Sequence, residues 1–243
     1  RTHLRDAVPM TLGQEFSGYA SIIQNHKKII EESSKQLLRL NLGGTAIGTS
    51  VNAPLSFQKK MMRELHHLTR RNYTQTSNLF GGTQSLSAIA TASGALKNLS
   101  CDLIKIANDI RLLSSGPTTG INELTLPALQ PGSSIMPGKV NPVLAEMLDM
   151  VCFQVIGNDT TIALCSQAGQ LELNVMMPLA GYSLLHSIYI LSNSIDVFSA
   201  KCIHGMKANE KKCKEYLEKN PVLVTALTPH IGYQKAAQIV KRA

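Results

Sequence analysis

Residues 131–142 read Pro-Gly-Ser-Ser-Ile-Met-Pro-Gly-Lys-Val-Asn-Pro, and this stretch gathers groups that can do chemistry. Gly132 and Gly138 permit turns and a close approach of backbone to ligand, while Pro131 and Pro137 restrict the segment. Successive backbone N–H groups around Gly132 to Ile135 can form a concave anion site. Lys139 adds a full positive charge, and Ser133 and Ser134 add hydroxyls. Asn141 adds an amide at the start of a helix, where the helix dipole also favours an anion. Together these groups can grip a carboxylate or a phosphate. Composition alone supports equally an ordinary helix–helix connection made of turn residues. The stretch is not a P-loop, because Val140 follows Lys139 where Ser or Thr is required. Nor is it the G-x-S-x-G nucleophile turn.

Other reactive residues are dispersed. The five cysteines, Cys101, Cys152, Cys165, Cys202 and Cys213, form no C-x-x-C pair, and Cys and His do not recur at zinc-ligand spacing. Reduced, mostly buried thiols in a cytoplasmic protein are expected, with no metal site and no tightly bound cofactor. The formal net charge is +8, densest over Lys59 to Arg71. That run lacks the aromatic interleaving of a base-stacking surface and reads as a solvated helix face, with Met61, Met62, Leu65 and Leu68 turned inward. No nucleic-acid partner is expected; a basic surface suits steering of a small anionic substrate.

The elements that must position these groups read at helical period. The 243 residues, 44% hydrophobic and 16% charged, suffice for a sizeable core. Thr11 with Gln14 three residues on forms a capping-box pattern, opening a helix to about Asn41. Three glycines and a proline interrupt at residues 42–54, and Ser56 is placed to cap a shorter helix through Leu68. A long helix follows from about Gln84 to Ser114. Beyond the 131–142 stretch, Asn141 as cap and Pro142 at the first position start another, to about Gly169. A further helix from Leu171 to about Lys201 is expected to bend at Pro178. These last two are apolar on many faces, as helices buried against other subunits are. Strand signals are weak, so the fold class is mainly α, a long-helix bundle. The charged, proline-interrupted character after Ile203 places a boundary there: 1–202 as a central helix-bundle domain, 203–243 as the start of a small C-terminal domain. No apolar run reaches bilayer-spanning length, and Arg1 to Met10 has no signal-peptide core, so no membrane partner is expected. The abrupt opening "RTHLRDAVP" suggests a piece of a longer protein, its bundle domain incomplete at the N-terminal side.

The run "GSSIMPGKVNP" closely resembles the signature of the fumarase/aspartase superfamily of lyases. Five further segments resemble that family in order: "RTHLRDAVPMTLGQEF", "LGGTAIGTSVN", "NDIRLLSSGP", "GNDTTI" and "AGQLELNVM". The resemblance implies anti elimination from a succinyl skeleton, through an aci-carboxylate dianion, to give fumarate. It implies Ser133 as the base, with N–H groups near Ser134 to Met136 favouring its deprotonation. Lys139, Asn141 and Ser134 would hold the substrate carboxylate, and Gly132 and Gly138 would act as loop hinges. Thr2 and His3 would contact substrate from another segment, with Glu146 as the acidic partner of that histidine. A first-turn glutamate complementing the helix dipole is an alternative account of Glu146.

The same resemblance implies a homotetramer in which each site combines segments of three subunits, with a small dicarboxylate as substrate. "GNDTTI" and "AGQLELNVM" lean toward ammonia release from L-aspartate, while "LVTALTPHIGY" leans toward water release from L-malate. A retained fold without catalysis is a third reading, against which the intact Ser133, Lys139, Asn141, His3 and Glu146 argue. The chain departs from the family pattern at Arg5, Thr118 and Met177. Gly44, Thr45 and Gly48 form a turn that either borders the site or is a plain loop. Asn158 and Asp159, poor helix formers within a helix, are expected to make buried hydrogen bonds between helices.

Overall fold

A computed structural model describes residues 1–242. Four long helices dominate: α1 (Leu12–Gln36), α4 (Ser87–Leu113), α5 (Val143–Gln167) and α6 (Met177–Phe198). Between them lie α2 (Leu55–Thr69) and a short α3 (Leu79–Gln84). The 27 residues of α4 give it a length of about 40 Å. It packs against α1, α5 and α6, and α5 packs against α6, so the helices form a side-by-side bundle.

The core follows the apolar stripe of α4. Leu99, Leu103, Ile106 and Ile110 meet Leu148, Cys152 and Val155 of α5, Leu191 and Phe198 of α6, and Tyr19 of α1. Toward the other end of the bundle, Ala92 packs with Ile162 and Leu184, and Leu86 with Cys165 and Ala180. Most polar groups inside are paired, as burial requires; among the described residues His26 Nδ1 and Asp149 Oδ1 are the buried side-chain atoms without a partner. Asn158 Nδ2 donates to Ser187 Oγ at 2.9 Å, linking α5 to α6. Ser93 Oγ donates to Asp159 Oδ1 at 2.7 Å, linking α4 to α5, and Lys97 Nζ lies 2.8 Å from Asp159 Oδ2. Both residues therefore tie helices together, as their position in the sequence suggests.

Sheet is confined to pairs of two residues: β1 (Arg39–Leu40) runs parallel to β2 (Thr74–Gln75), and β3 (Leu124–Thr125) antiparallel to β4 (Lys207–Ala208). After α6 the chain makes a π-helical turn (Ser199–Ile203), then α7 (Glu210–Glu218), a 3-10 segment (Pro221–Leu227), α8 (Thr228–Ile231) and α9 (Tyr233–Val240).

Several boundaries differ from the sequence reading. The Thr11–Gln14 capping box is present, but α1 stops at Gln36, short of Asn41, because Arg39 and Leu40 pair with β2 instead. Pro54, not Ser56, is the N-cap of α2, and Ser56 lies within the first turn. The helix expected from about Gln84 to Ser114 is α4, starting at Ser87, and a separate short helix, α3, precedes it with a break at Ser85–Leu86. Pro142 occupies the N-cap of α5, and Asn141 lies outside it. Pro178 stands in the first turn of α6, where its missing N–H breaks no hydrogen bond, so it starts the helix and does not bend it. Among the described residues no helix is long and apolar enough to cross a membrane.

Candidate active site

The loop between β3 and α5 is shaped by its own backbone. Ser133 Oγ accepts hydrogen bonds from the N–H groups of Ile135, at 3.2 Å, and Met136, at 3.1 Å. Two donors aimed at one hydroxyl oxygen favour negative charge on it. The Met136 carbonyl in turn accepts from the Lys139 N–H at 3.2 Å, closing a tight turn through Gly138, whose φ is +81°. The two arms of the loop meet at Gly132: a Cβ there would fall 1.9 Å from the Lys139 carbonyl oxygen. Asn141 Nδ2 donates to the Gly132 carbonyl at 2.7 Å. Its amide therefore clips the loop rather than capping α5, and leaves one amide hydrogen and the Oδ1 acceptor for other partners.

The loop outlines a cavity of about 550 Å³, open to solvent and lined by residues 128–133 and 137–140. Ser133 is half-buried at its edge; Ser134 and Lys139 are exposed. Among the described residues the Lys139 ammonium has no ion-pair partner. A polarised hydroxyl and an unpaired cation at one cavity can remove a proton beside a carboxylate and hold the charge that develops.

Glu146 lies in the first turn of α5, half-exposed. Within the chain it faces Arg111 of α4, Nη2 to Oε1 at 3.7 Å. Arg111 is held by Asn108 at 2.9 Å and by the buried Asp149 at 3.1 Å. Burial raises the Asp149 carboxyl above the usual range, against the opposing pull of Arg111.

Thr2 and His3 occupy a different turn. Thr2 and Arg5 exchange two backbone hydrogen bonds, at 3.1 and 2.9 Å, around His3 (φ +54°) and Leu4 (φ +58°). Positive φ at both central residues matches a type I′ hairpin turn, an unusual conformation for residues other than glycine or asparagine. The turn carries the exposed His3 ring at its tip. Among the described residues no hydrogen bond or ion pair joins His3 to Ser133 or Glu146. The loop thus gathers Gly132, Ser133, Ser134, Gly138, Lys139 and Asn141, with Glu146 one turn into the next helix, while Thr2 and His3 stand apart.

The glycine-rich turn is pinned by packing. The Gly44 carbonyl accepts from Gly48 and Ser50, and a Cβ on Gly48 (φ +104°) would lie 2.7 Å from the Phe80 backbone nitrogen of α3. Arg5 and Thr118 are exposed, and Met177 opens α6 at 42% exposure; nothing in the structure explains these three departures. Cys152, Cys165 and Cys202 are buried. Burial pushes the Cys152 thiol up to about 11, out of the reactive range.

Sequence reasoning missed the supports of the His3 turn. Arg1 makes a two-pronged pair with Glu123, at 2.7 and 3.0 Å, and lies 5.3 Å from the Tyr216 ring centre. These partners are far apart in the chain. The available signal was a lone acid in the apolar run "INELTLPAL".

A family model described as Lyase matches residues 1–157. Over all 243 residues the chain is 48% identical to an aspartate ammonia-lyase of Helicobacter pylori, covering 100% of this chain and 52% of that protein. It is also 48% identical, over the same shares, to a class II fumarate hydratase of Helicobacter pylori. The crystal structure of recombinant class II fumarase from Schistosoma mansoni superposes with a TM-score of 0.96 at 41% identity, covering 99% of this chain and 53% of that one. The chain spans about half the length of the curated relatives it matches.

Proposed function

We propose, on the premise that this chain belongs to the fumarase/aspartase superfamily of lyases, that it serves the reversible anti elimination of ammonia from L-aspartate to give fumarate. The observation that carries this reading is the pair of N–H donors on Ser133 Oγ, in a loop whose Lys139 has no ion-pair partner among the described residues. Serine is a poor base unless its oxygen is held in a positive field. Ser133 takes the proton from the carbon next to one substrate carboxylate. The electrons move into that carboxylate, giving an aci-carboxylate dianion stabilised by Lys139, Asn141 and Ser134. They then return to form the carbon–carbon double bond as the carbon–nitrogen bond breaks on the opposite face. The amine, carried as ammonium in L-aspartate, departs as neutral ammonia without a further proton, and the His3 and Glu146 pair assists its binding; in the hydratase reaction the same pair would protonate the leaving hydroxyl. Thr2 adds a substrate contact from the His3 turn. Closure of the loop about Gly132 and Gly138 would exclude water from the dianion.

Relatives named for two reactions stand at equal identity, so the leaving group is argued from local residues. "GNDTTI" and "AGQLELNVM" resemble the ammonia-releasing members. The second reading is hydration and dehydration, between fumarate and L-malate, favoured by "LVTALTPHIGY". The proposal includes a homotetramer, with His3 and Ser133 of one site supplied by different chains, and a small C-terminal domain beginning near Ile203.

The test follows fumarate by its ultraviolet absorbance, with the chain extended to the length of its relatives. L-aspartate and L-malate are offered separately, and Ser133→Ala is the control. Fumarate from L-aspartate alone is expected. Fumarate from L-malate alone moves the assignment to the hydratase reaction. Turnover of neither favours a non-catalytic role or another succinyl-adduct substrate. Full activity in Ser133→Ala transfers the base to His3 with Glu146.

A further inference from the structure

The His3 turn is held down at a point remote in sequence. Arg1 places Nη1 and Nη2 on the two oxygens of Glu123, at 3.0 and 2.7 Å, with Glu123 only 8% exposed. A guanidinium fork on a carboxylate fixes orientation as well as distance, and a half-buried pair is little screened by solvent. Glu123 directly precedes β3, whose far end runs into the Ser133 loop. Its own carbonyl accepts from the Asn209 N–H at 2.8 Å, next to α7. Tyr216 of α7 stacks under Arg1 and donates its hydroxyl to the Ile121 carbonyl at 3.0 Å. Downstream of the turn, Asn220 Nδ2 donates to the Ala7 carbonyl at 2.8 Å. Both flanks of the His3 turn are thus fastened to other segments, while the turn itself holds two positive-φ residues with only its own two backbone bonds.

We propose that Glu123 is a positioning residue: its grip on Arg1 fixes the Thr2–His3 turn, and with Tyr216 it makes the placing of that turn depend on α7. The catalytic half of this statement rests on the functional reading above, in which Thr2 and His3 meet substrate. The device has a physical purpose. A turn with positive φ at two non-glycine residues is costly, and persists only where its surroundings over-determine it. A misplacement of about 1 Å of a substrate-contacting residue can cost on the order of hundredfold in rate.

The experiment compares Glu123→Gln, which keeps shape and removes charge, with Glu123→Asp, in the chain extended to the length of its relatives. Amide hydrogen exchange is read at Thr2 and Arg5 and, as a reference, inside α4. Steady-state formation of fumarate is read on the same samples. Glu123→Gln is expected to speed exchange at Thr2 and Arg5 by about tenfold or more while α4 is unchanged. It is also expected to lower kcat/KM by roughly tenfold to hundredfold, with Glu123→Asp recovering part of both. Unchanged exchange in the turn overturns the proposal, and so does an equal rise in α4, which would mean general loosening. If the unaltered protein makes no fumarate from either substrate, the functional reading fails, and the exchange data still decide whether Glu123 holds the turn.

Discussion

Gly132 and Gly138 look interchangeable in the sequence, yet the structure gives them different tasks. A methyl group at 132 would stand 1.9 Å from the Lys139 carbonyl oxygen, a backbone atom that cannot move aside without opening the loop. At 138 the constraint is φ +81° alone, with no atom within 4 Å of an added Cβ. Gly132→Ala is therefore expected to lower kcat/KM by about hundredfold or more, and Gly138→Ala by less than about tenfold. Both loop positions lie outside the core, so melting temperatures should stay within about 2 °C of the parent. Fumarate kinetics beside calorimetry checks this; equal losses for the two would show that contact at Gly132 is not what shapes the loop. Ser133→Ala should cost about 10²- to 10⁴-fold in kcat with little change in KM, since its proposed role lies in the proton transfer. At this scale the sequence was informative where one short run supplies all the groups, as with Ser133 and the N–H groups of Ile135 and Met136. It failed where a side chain has two possible local partners. Asn141 was placed as a helix cap, but its amide reaches back nine residues to Gly132, and no local propensity encodes that choice.

Between α4 and α5 the decisive element is a polar tie inside an apolar seam. Asp159 accepts from Ser93 and faces Lys97, and is itself 9% exposed. Asp159→Ala leaves the buried Ser93 hydroxyl without its acceptor and should destabilise the fold by about 2 kcal/mol, read as a lower denaturation midpoint with kcat unchanged. A fall in kcat at full stability would instead place Asp159 in the chemistry. Thr11→Ala, which removes the capping-box hydroxyl of α1, should cost about 1 kcal/mol. Cys152 lies in the same seam, and burial raises its thiol from 9.0 to about 11. The folded state thus prefers the protonated thiol. That contribution is complete below pH 9 and is lost as pH rises toward 11. At pH 8 iodoacetamide should leave Cys152 unmodified in the folded protein and label it after unfolding. The long helices were legible because periodicity over 20 or more residues averages out local noise. Their ends were not. Asn41, Ser56 and Pro178 each carry a sound local signal that a neighbour outbids: strand pairing at Arg39–Leu40, Pro54 at the cap of α2, and a start at Met177 in place of a bend.

On the whole molecule, α5 and α6 are apolar on more faces than one chain can bury. Tyr182, Leu185 and Tyr189 of α6 are 66–68% exposed and recur at i, i+3 and i+7, and Met150, Phe153 and Leu164 of α5 are 57–63% exposed. A surface of this kind marks an interface, and further copies of the same chain fit the proposed homotetramer. Leu185→Glu with Tyr189→Glu should split the assembly, seen as a drop in mass by light scattering with helical circular dichroism retained. The proposed assembly would also account for the absence, among the described residues, of a hydrogen bond or ion pair from His3 to Ser133 or Glu146 within one chain. If each site takes His3 and Ser133 from different chains, two inactive proteins can repair one another. Mixed in equal amounts, dissociated and reassembled, Ser133→Ala and His3→Ala chains would give an intact site whenever Ser133 comes from one type and His3 from the other. Random assembly makes that about one site in four, so about a quarter of the parent activity should return. Were both residues drawn from a single chain, every site would carry one lesion and the mixture would stay as inactive as its parts.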